Sequence, residues 1–256
     1  MLTRALIGLG VGAVLAALAA HFRLLTLPAA LIAAAMLTAI LALGGVHAAL
    51  YIVTIFGLCA AIHVLAKRKK SRHAGGARGV GQVLCNGLVG TLSLVVYAHV
   101  PTPALLVGYY AAITELFADT VASDLGTLSR GEPIDICRLC RVPRGQSGGV
   151  SALGTLLSLL GTLLGFLLIG FSEIGLLGAA VGAGAAFLGM LLDSVLGSLV
   201  QGKFVCPVCG AATEKRRHCD TEATPVGGCA LIGNSTVNLL SNLFAALLGA
   251  AVYAIL

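Results

Sequence analysis

Apolar residues run almost unbroken along the chain, in stretches near 5–20, 24–43, 46–66, 80–99, 103–125, 149–171, 174–200 and 230–255. Each is close to the ~20 residues that carry an α-helix across the ~30 Å hydrocarbon core of a bilayer. The pattern predicts an all-α, polytopic membrane bundle of about eight transmembrane helices, a single domain over 1–256. The first stretch follows one arginine, as a signal peptide would, but more apolar spans follow it in place of a polar domain. It is kept as a helix.

Composition agrees. With 58% hydrophobic residues, mean hydropathy +1.02 and 10% charged residues, the polar side chains are too few to coat a water-soluble globule. If the eight spans alternate, one side collects Arg23 and the basic residues of 67–78, 130–144 and 203–217, which is every lysine and arginine but Arg4. The positive-inside rule makes that side cytoplasmic and puts both termini outside. The net charge of +6 then reports topology and attraction to anionic headgroups or phosphates, not nucleic acid. Connections outside, near 44–45, 101–103 and 172–173, are short, whereas those inside reach about twenty residues, so loop chemistry is expected in the cytoplasm. The 34 glycines and absence of tryptophan suggest close helix packing through small faces such as Gly178-x-x-x-Gly182.

Two stretches resemble each other. Asp119-Thr-Val is followed by Cys137-Arg-Leu-Cys140, Gly148-Gly149 and a helix; Asp193-Ser-Val is followed by Cys206-Pro-Val-Cys209, Gly227-Gly228 and a similar helix. A parallel helix–loop–helix repeat would bring both aspartates to the cytoplasmic ends of helices running the same way, with Gly81–Gly87 as a degenerate third copy. Repeats of this kind commonly hold a site at their interface.

Four acids, Glu115, Asp119, Asp124 and Asp193, fall inside apolar runs, where an ionised carboxylate costs about 2.5–3.5 kcal/mol or more. They must be paired, hydrated or metal-bound. Glu115, Asp119 and Ser123 share a helix face at i, i+4 and i+8. Carboxylates with hydroxyl neighbours make a hard-oxygen site for Mg²⁺ and phosphate; an interhelical ion pair or proton relay is the alternative. Gly81-Gln82…Asn86-Gly87, Arg144-Gly-Gln-Ser-Gly148-Gly149 and Gly233-Asn234…Asn238 each read as a helix start on the cytoplasmic side, where free N–H groups favour phosphate. Arg78, Arg144, Gln201 and Lys203 complete the candidate phosphate contacts.

Within the inside loop 201–229, Cys206, Cys209, His218 and Cys219 supply four soft ligands that suit tetrahedral zinc. Because His218 and Cys219 are adjacent, joint ligation would strain the chain, so Cys137 and Cys140 from the sister loop are candidate replacements. Free thiols and redox use stay open, and a cytoplasmic loop argues against stable disulfides.

Five ordered motifs, Arg78…Gly81-Gln-Val-Leu-Cys-Asn-Gly87, Ala118-Asp-Thr-Val-Ala-Ser-Asp-Leu-Gly126, Gly145-Gln-Ser-Gly-Gly-Val150, Asp193-Ser-Val-Leu-Gly-Ser-Leu-Val-Gln201 and Asn234…Asn238, resemble the domain-of-unknown-function-92 family of integral membrane proteins, which includes chloroplast phytyl-phosphate kinase. The resemblance covers most of the chain from about residue 40. It implies phosphoryl transfer from a nucleoside triphosphate, CTP or ATP, to an isoprenyl or phytyl monophosphate lipid, with Asp119, Asp124 and Asp193 at the Mg²⁺ site. Two departures are present: Asp124 stands where the family often has Glu, and Gly233-Asn-Ser235 replaces an acidic motif. Asn234 and Asn238 are left as amide ligands only. Rival readings are a transporter or flippase of an anionic lipid or small anion, and a scaffold whose zinc loop binds a partner.

Overall fold

The computed structural model describes residues 1–69, 77–170 and 172–256; the basic side chains read at 67–72 lie outside what is described. Among the described residues seven long helices follow the apolar runs: α1 (Leu2–His21), α2 (Leu27–Lys69), α3 (Val80–His99), α4 (Pro103–Gly126), α5 (Ala152–Ile169), α6 (Gly175–Leu199) and α7 (Asn234–Ile255). All seven are long and apolar enough to cross a membrane. At 43 residues α2 would be about 65 Å long if straight, twice the bilayer core. It breaks at Gly45, whose φ of 78° and ψ of −170° are open to glycine and costly for other residues. Two of the eight apolar runs therefore sit in one element on either side of a glycine hinge.

Contacts set the directions of the spans. At one end of the bundle the Thr26 N–H donates to the Arg78 carbonyl at 3.1 Å and the Arg78 N–H to the Leu24 carbonyl at 3.0 Å. At the same end His63 meets Asp124, Gly154 packs on Gly126, and Gly148 packs on Ser198. The connections 22–26, 127–151 and 200–233 therefore share that end, while Gly45 lies beside Arg4 at the other.

Helix α4 is the hub, packed against α2, α3, α5, α6 and α7. Its membrane span is 78% buried, against 44% for α6 and less for the rest. The helix carrying Glu115, Asp119 and Asp124 is thus the one most shielded from lipid, which is what intramembrane carboxylates require. Outer faces keep leucines such as Leu159, Leu163 and Leu167 about half exposed, as lipid contact favours. Helix α1 packs closely on α2 at Gly8-x-x-x-Gly12, where an added Cβ would lie 2.9 Å from Thr38 Cα and 3.0 Å from the Ala34 carbonyl. The expectation at Gly178-x-x-x-Gly182 is corrected: Gly178 faces Ile174 of its own turn, and Gly182 has only ordinary contacts at 3.8 Å.

The all-α reading needs one amendment. The end loops fold into short antiparallel ribbons: β1 (Ile134–Asp135) with β2 (Gly149–Val150), then β3 (Lys203–Val205) between β4 (Ala212–Thr213) and β7 (Thr224–Gly227), and β5 (Arg217–His218) with β6 (Thr221–Glu222). These segments lie beyond the helix ends, where too few consecutive apolar residues remain for a helix and turn residues let the backbone pair with itself.

Candidate functional site

Helices α4, α6 and α7 bring the acids together. Glu115 is 2% exposed; its Oε2 accepts a 2.9 Å bond from Asn242 Nδ2, which also donates to the Ala112 carbonyl at 2.7 Å. Gly189 of α6 makes room for it, since a Cβ there would sit 2.8 Å from Glu115 Cγ. One turn along α6, Asp193 Oδ2 accepts from Ser241 Oγ at 3.2 Å, and Asn238, its amide oriented to donate, reaches the same oxygen at 3.2 Å. Asp119 and Glu115 are the charged neighbours of Asp193, joined by Glu214 from the loop. Asp124 and Arg78 are those of Asp119. Asp124 also holds His63 Nδ1 at 3.1 Å.

Acids therefore outnumber cations here. Among the described residues, Glu115 Oε1 and Asn242 Oδ1 are buried with no hydrogen-bond donor. These two unsatisfied oxygens, of Glu115 and Asn242, lie at the contact of α4 with α7.

Beside the cluster lies a cavity of about 290 Å³ between α1, α2 and α3, near the lower size bound for ligand pockets. Phe22, Met36 and Phe56 contribute to an apolar wall, while Arg78, Gln82 and Asn86 supply the polar groups near the start of α3. The starts of α3 and α7 adjoin, because a Cβ on Gly81 would come within 3.9 Å of Ser235 Oγ. Both helices begin at a glycine in extended conformation, Gly79 and Gly233.

Other candidates are placed differently. Arg144 is exposed and donates to the Arg130 carbonyl at 2.6 Å, which turns it from the acids. The Arg144–Gly149 segment does not start a helix: Gly149 belongs to β2, and α5 begins after Ser151, whose Oγ accepts from the Gly154 N–H. Gly148, at φ 84°, presses on the Ser198 backbone. Ser123 Oγ bonds back to the Asp119 carbonyl at 2.7 Å. Gln201 Nε2 donates to Glu214 Oε2 at 2.8 Å, and Lys203 Nζ to the Ser198 carbonyl at 3.1 Å, so both fasten the end of α6. Asn234 opens α7 and is exposed.

The two loops share one turn, in a register two residues away from the Cys-x-x-Cys alignment. The Asp135 N–H donates to the Cys140 carbonyl and the Leu139 N–H to the Asp135 carbonyl; likewise the Cys206 N–H donates to the Ala211 carbonyl and the Gly210 N–H to the Cys206 carbonyl. Asp135 Oδ1 accepts the Cys137 and Arg138 amides, as Cys206 Sγ accepts those of Val208 and Cys209. Leu139 (φ 54°) and Gly210 (φ 70°) close the turns. Asp135 is thus the counterpart of Cys206, and Cys137 and Cys140 fall on other positions, exposed and apart from the Cys206–Cys209–His218–Cys219 cluster. Their expected role as replacement ligands is corrected on that ground.

Asp135 was silent in sequence. Burial raises its carboxyl, but the Ser198 hydroxyl at 2.6 Å, the Arg138 and Cys137 amides and Lys203 outweigh burial and hold it below its ordinary 3.8. Stability from this ionised group is full above pH 3.8 and is lost as pH falls through its lower folded value. Asp135→Asn should cost about 1–3 kcal/mol near neutrality, the gap from wild type closing only in strong acid; thermal unfolding in detergent across pH measures it. In the other loop, the Cys209 amide draws the Cys206 thiol down to about 6, and hydrogen bonding with Cys209 pushes the Cys219 thiol up to about 11.

Asn242, Ser241, Glu214 and His63 were also unforeseen. Asn242 carried a signal, since Asn234, Asn238 and Asn242 recur every four residues on one face of α7.

Among the described residues, seven membrane-length helices, one of them the shielded acidic α4, define a polytopic integral membrane protein. More narrowly, the profile of the family described as "Integral membrane protein DUF92" matches residues 10–246, and the chain belongs to that family. It is similar to Protein PGR of Arabidopsis thaliana, 29% identical over 203 residues and 68% of each chain. It is also similar to an uncharacterized membrane protein of Synechocystis sp., 34% identical over 133 residues, which are 50% of this chain and 52% of that one. No solved structure matches the chain.

Proposed function

We propose that the protein is a membrane kinase that transfers a phosphoryl group from a nucleoside triphosphate, CTP or ATP, to an isoprenyl or phytyl monophosphate. One observation carries the reading: an apolar cavity whose polar groups are Arg78, Gln82 and Asn86 adjoins a carboxylate cluster through Arg78, the charged neighbour of Asp119. A lipid tail fits the apolar wall, and its phosphate would meet the Arg78 guanidinium, which matches phosphate oxygens geometrically. The adjoining starts of α3 and α7 add backbone N–H groups that favour phosphate.

In the reaction an acceptor phosphate oxygen bonds to the donor's terminal phosphorus as the bond to the leaving diphosphate oxygen breaks. The acceptor is already an anion, so no general base is required, and positioning with charge neutralisation does the work. Bound Mg²⁺ would supply that neutralisation on the donor phosphates, held by Asp119 and Asp193 with Asp124 nearby. Arg78 and the helix starts orient the acceptor, and burial of α4 excludes water. The basic loops are assigned to the cytoplasm, where nucleotides are, and both termini to the other side.

Purified protein in detergent, offered labelled ATP and CTP with phytyl, farnesyl and longer isoprenyl monophosphates, should form a diphosphate. No product from folded protein across that panel rejects the kinase. Ala33→Phe narrows the cavity that Ala33 lines and should raise KM for long-tailed acceptors about tenfold while sparing the shortest; equal loss for all tail lengths would place the lipid elsewhere.

Transport of an anionic lipid or small anion is favoured by a different feature, the buried and half-satisfied Glu115. On that reading Glu115→Gln is as damaging as Asp119→Asn, and radiolabelled substrate moves across proteoliposomes without chemical change.

A further inference from the structure

We propose that Cys206, Cys209, His218 and Cys219 bind one zinc ion, and that this ion holds Glu214 in place between the two end loops. The inference stands apart from the kinase reading.

The four ligand atoms lie within 4.8 Å of one another. His218 Nδ1 is 3.5 Å from Cys209 Sγ and 3.3 Å from Cys219 Sγ. Around a tetrahedral ion with Zn–S near 2.3 Å and Zn–N near 2.05 Å, sulfur and nitrogen ligands are about 3.6 Å apart, so His218 already stands at ligating separation from both Cys209 and Cys219. All three cysteines of the set are unbridged; a disulfide would need sulfurs about 2.05 Å apart.

The local chain is built for this. Cys206 begins a turn whose Val208 and Cys209 amides point at its sulfur, and Gly210 turns the chain back into β4. The adjacency of His218 and Cys219, which reads as strain in sequence, is resolved by the β5–β6 hairpin. Cys219 and Asp220 are its two turn residues, both left-handed at φ 50° and 57°. Two consecutive non-glycine residues in that region are costly and persist where something else determines them. Ligation supplies such a determinant, because the turn swings Cys219 Sγ round to the same side as His218.

Glu214 sits between the two halves of the ligand set. Its Oε1 accepts the Ser147 N–H of the sister loop and its Oε2 accepts Gln201 Nε2, both at 2.8 Å. Closing the Cys206–Cys219 loop with a metal therefore fixes a clasp joining both loops at the end of α6.

Full-length protein purified in detergent without chelator should contain one zinc per chain by elemental analysis. Cys209→Ser with Cys219→Ser should lose it, and Cys137→Ser with Cys140→Ser should keep it. Cobalt exchanged into the wild type should show thiolate charge-transfer and tetrahedral visible bands, a readout that does not depend on any variant folding. Removing the metal should speed amide exchange in peptides covering 145–149, which contain no ligand, and Glu214→Gln should do the same with zinc retained. Metal-free wild type, iron in place of zinc, or zinc that survives the Cys209/Cys219 double change overturns the site; unchanged exchange at 145–149 on metal removal overturns the clasp.

Discussion

If the protein is the proposed kinase, Asp193→Asn should leave a folded protein that inserts in membranes but transfers phosphoryl groups about 10³-fold more slowly, with Asp119→Asn close behind. The estimate takes a metal's charge stabilisation as several kcal/mol and counts tenfold in rate for each 1.36 kcal/mol. The side chain keeps its shape, so Ser241 and Asn238 still pack on it, but one charge leaves a cluster that also contains Asp119 and Glu115. Removing a carboxylate relieves repulsion when no cation is bound. The variant should therefore unfold at an equal or higher temperature than wild type in chelator while losing activity with Mg²⁺ present. Stability that falls along with activity would mean that Asp193 is structural. Full activity with normal stability would remove the acid cluster from the chemistry.

The second large effect is on stability. Gly148→Ala should cost about 3 kcal/mol or more, the sum of a left-handed alanine and overpacking against main chain. At φ 84° the new Cβ would sit 2.5–2.6 Å from Ser198 N, Cα and Cβ, and backbone cannot rotate away as a flexible side chain could. Pushing Ser198 aside also breaks its 2.6 Å bond to Asp135, so the first loop should loosen together with the end of α6. Thermal aggregation of detergent-solubilised protein and proteolysis within 128–151 would register both effects. Wild-type behaviour in both assays would show that the loop does not press on α6 in solution.

The spans were legible because lipid imposes a length and an apolarity on every crossing, so α1 to α7 follow the runs read from residues alone. The hinge inside α2 was visible as the paired glycines between two runs, although helix is otherwise continuous there. The acids were visible because each interrupts an apolar stretch, and their spacing put Glu115 and Asp119 on one face. Less was legible in the loops. Cys137-x-x-Cys140 and Cys206-x-x-Cys209 look alike as letters, yet the turn they belong to is set by backbone hydrogen bonds that align Asp135 with Cys206.

Sequence by itself determined the class of protein and the family, since these rest on local apolarity and motif order. Tertiary structure alone decided which carboxylates meet. Asp193 joins Glu115 and Asp119 because Gly189 lets α6 approach α4, and Asn242 reaches Glu115 because α7 packs against the same helix. It also decided that Arg144 turns away while Arg78 borders both cavity and acids, and that neighbouring His218 and Cys219 converge through two left-handed residues. Those outcomes depend on packing between elements far apart in the chain and on backbone angles, neither of which residue spacing encodes.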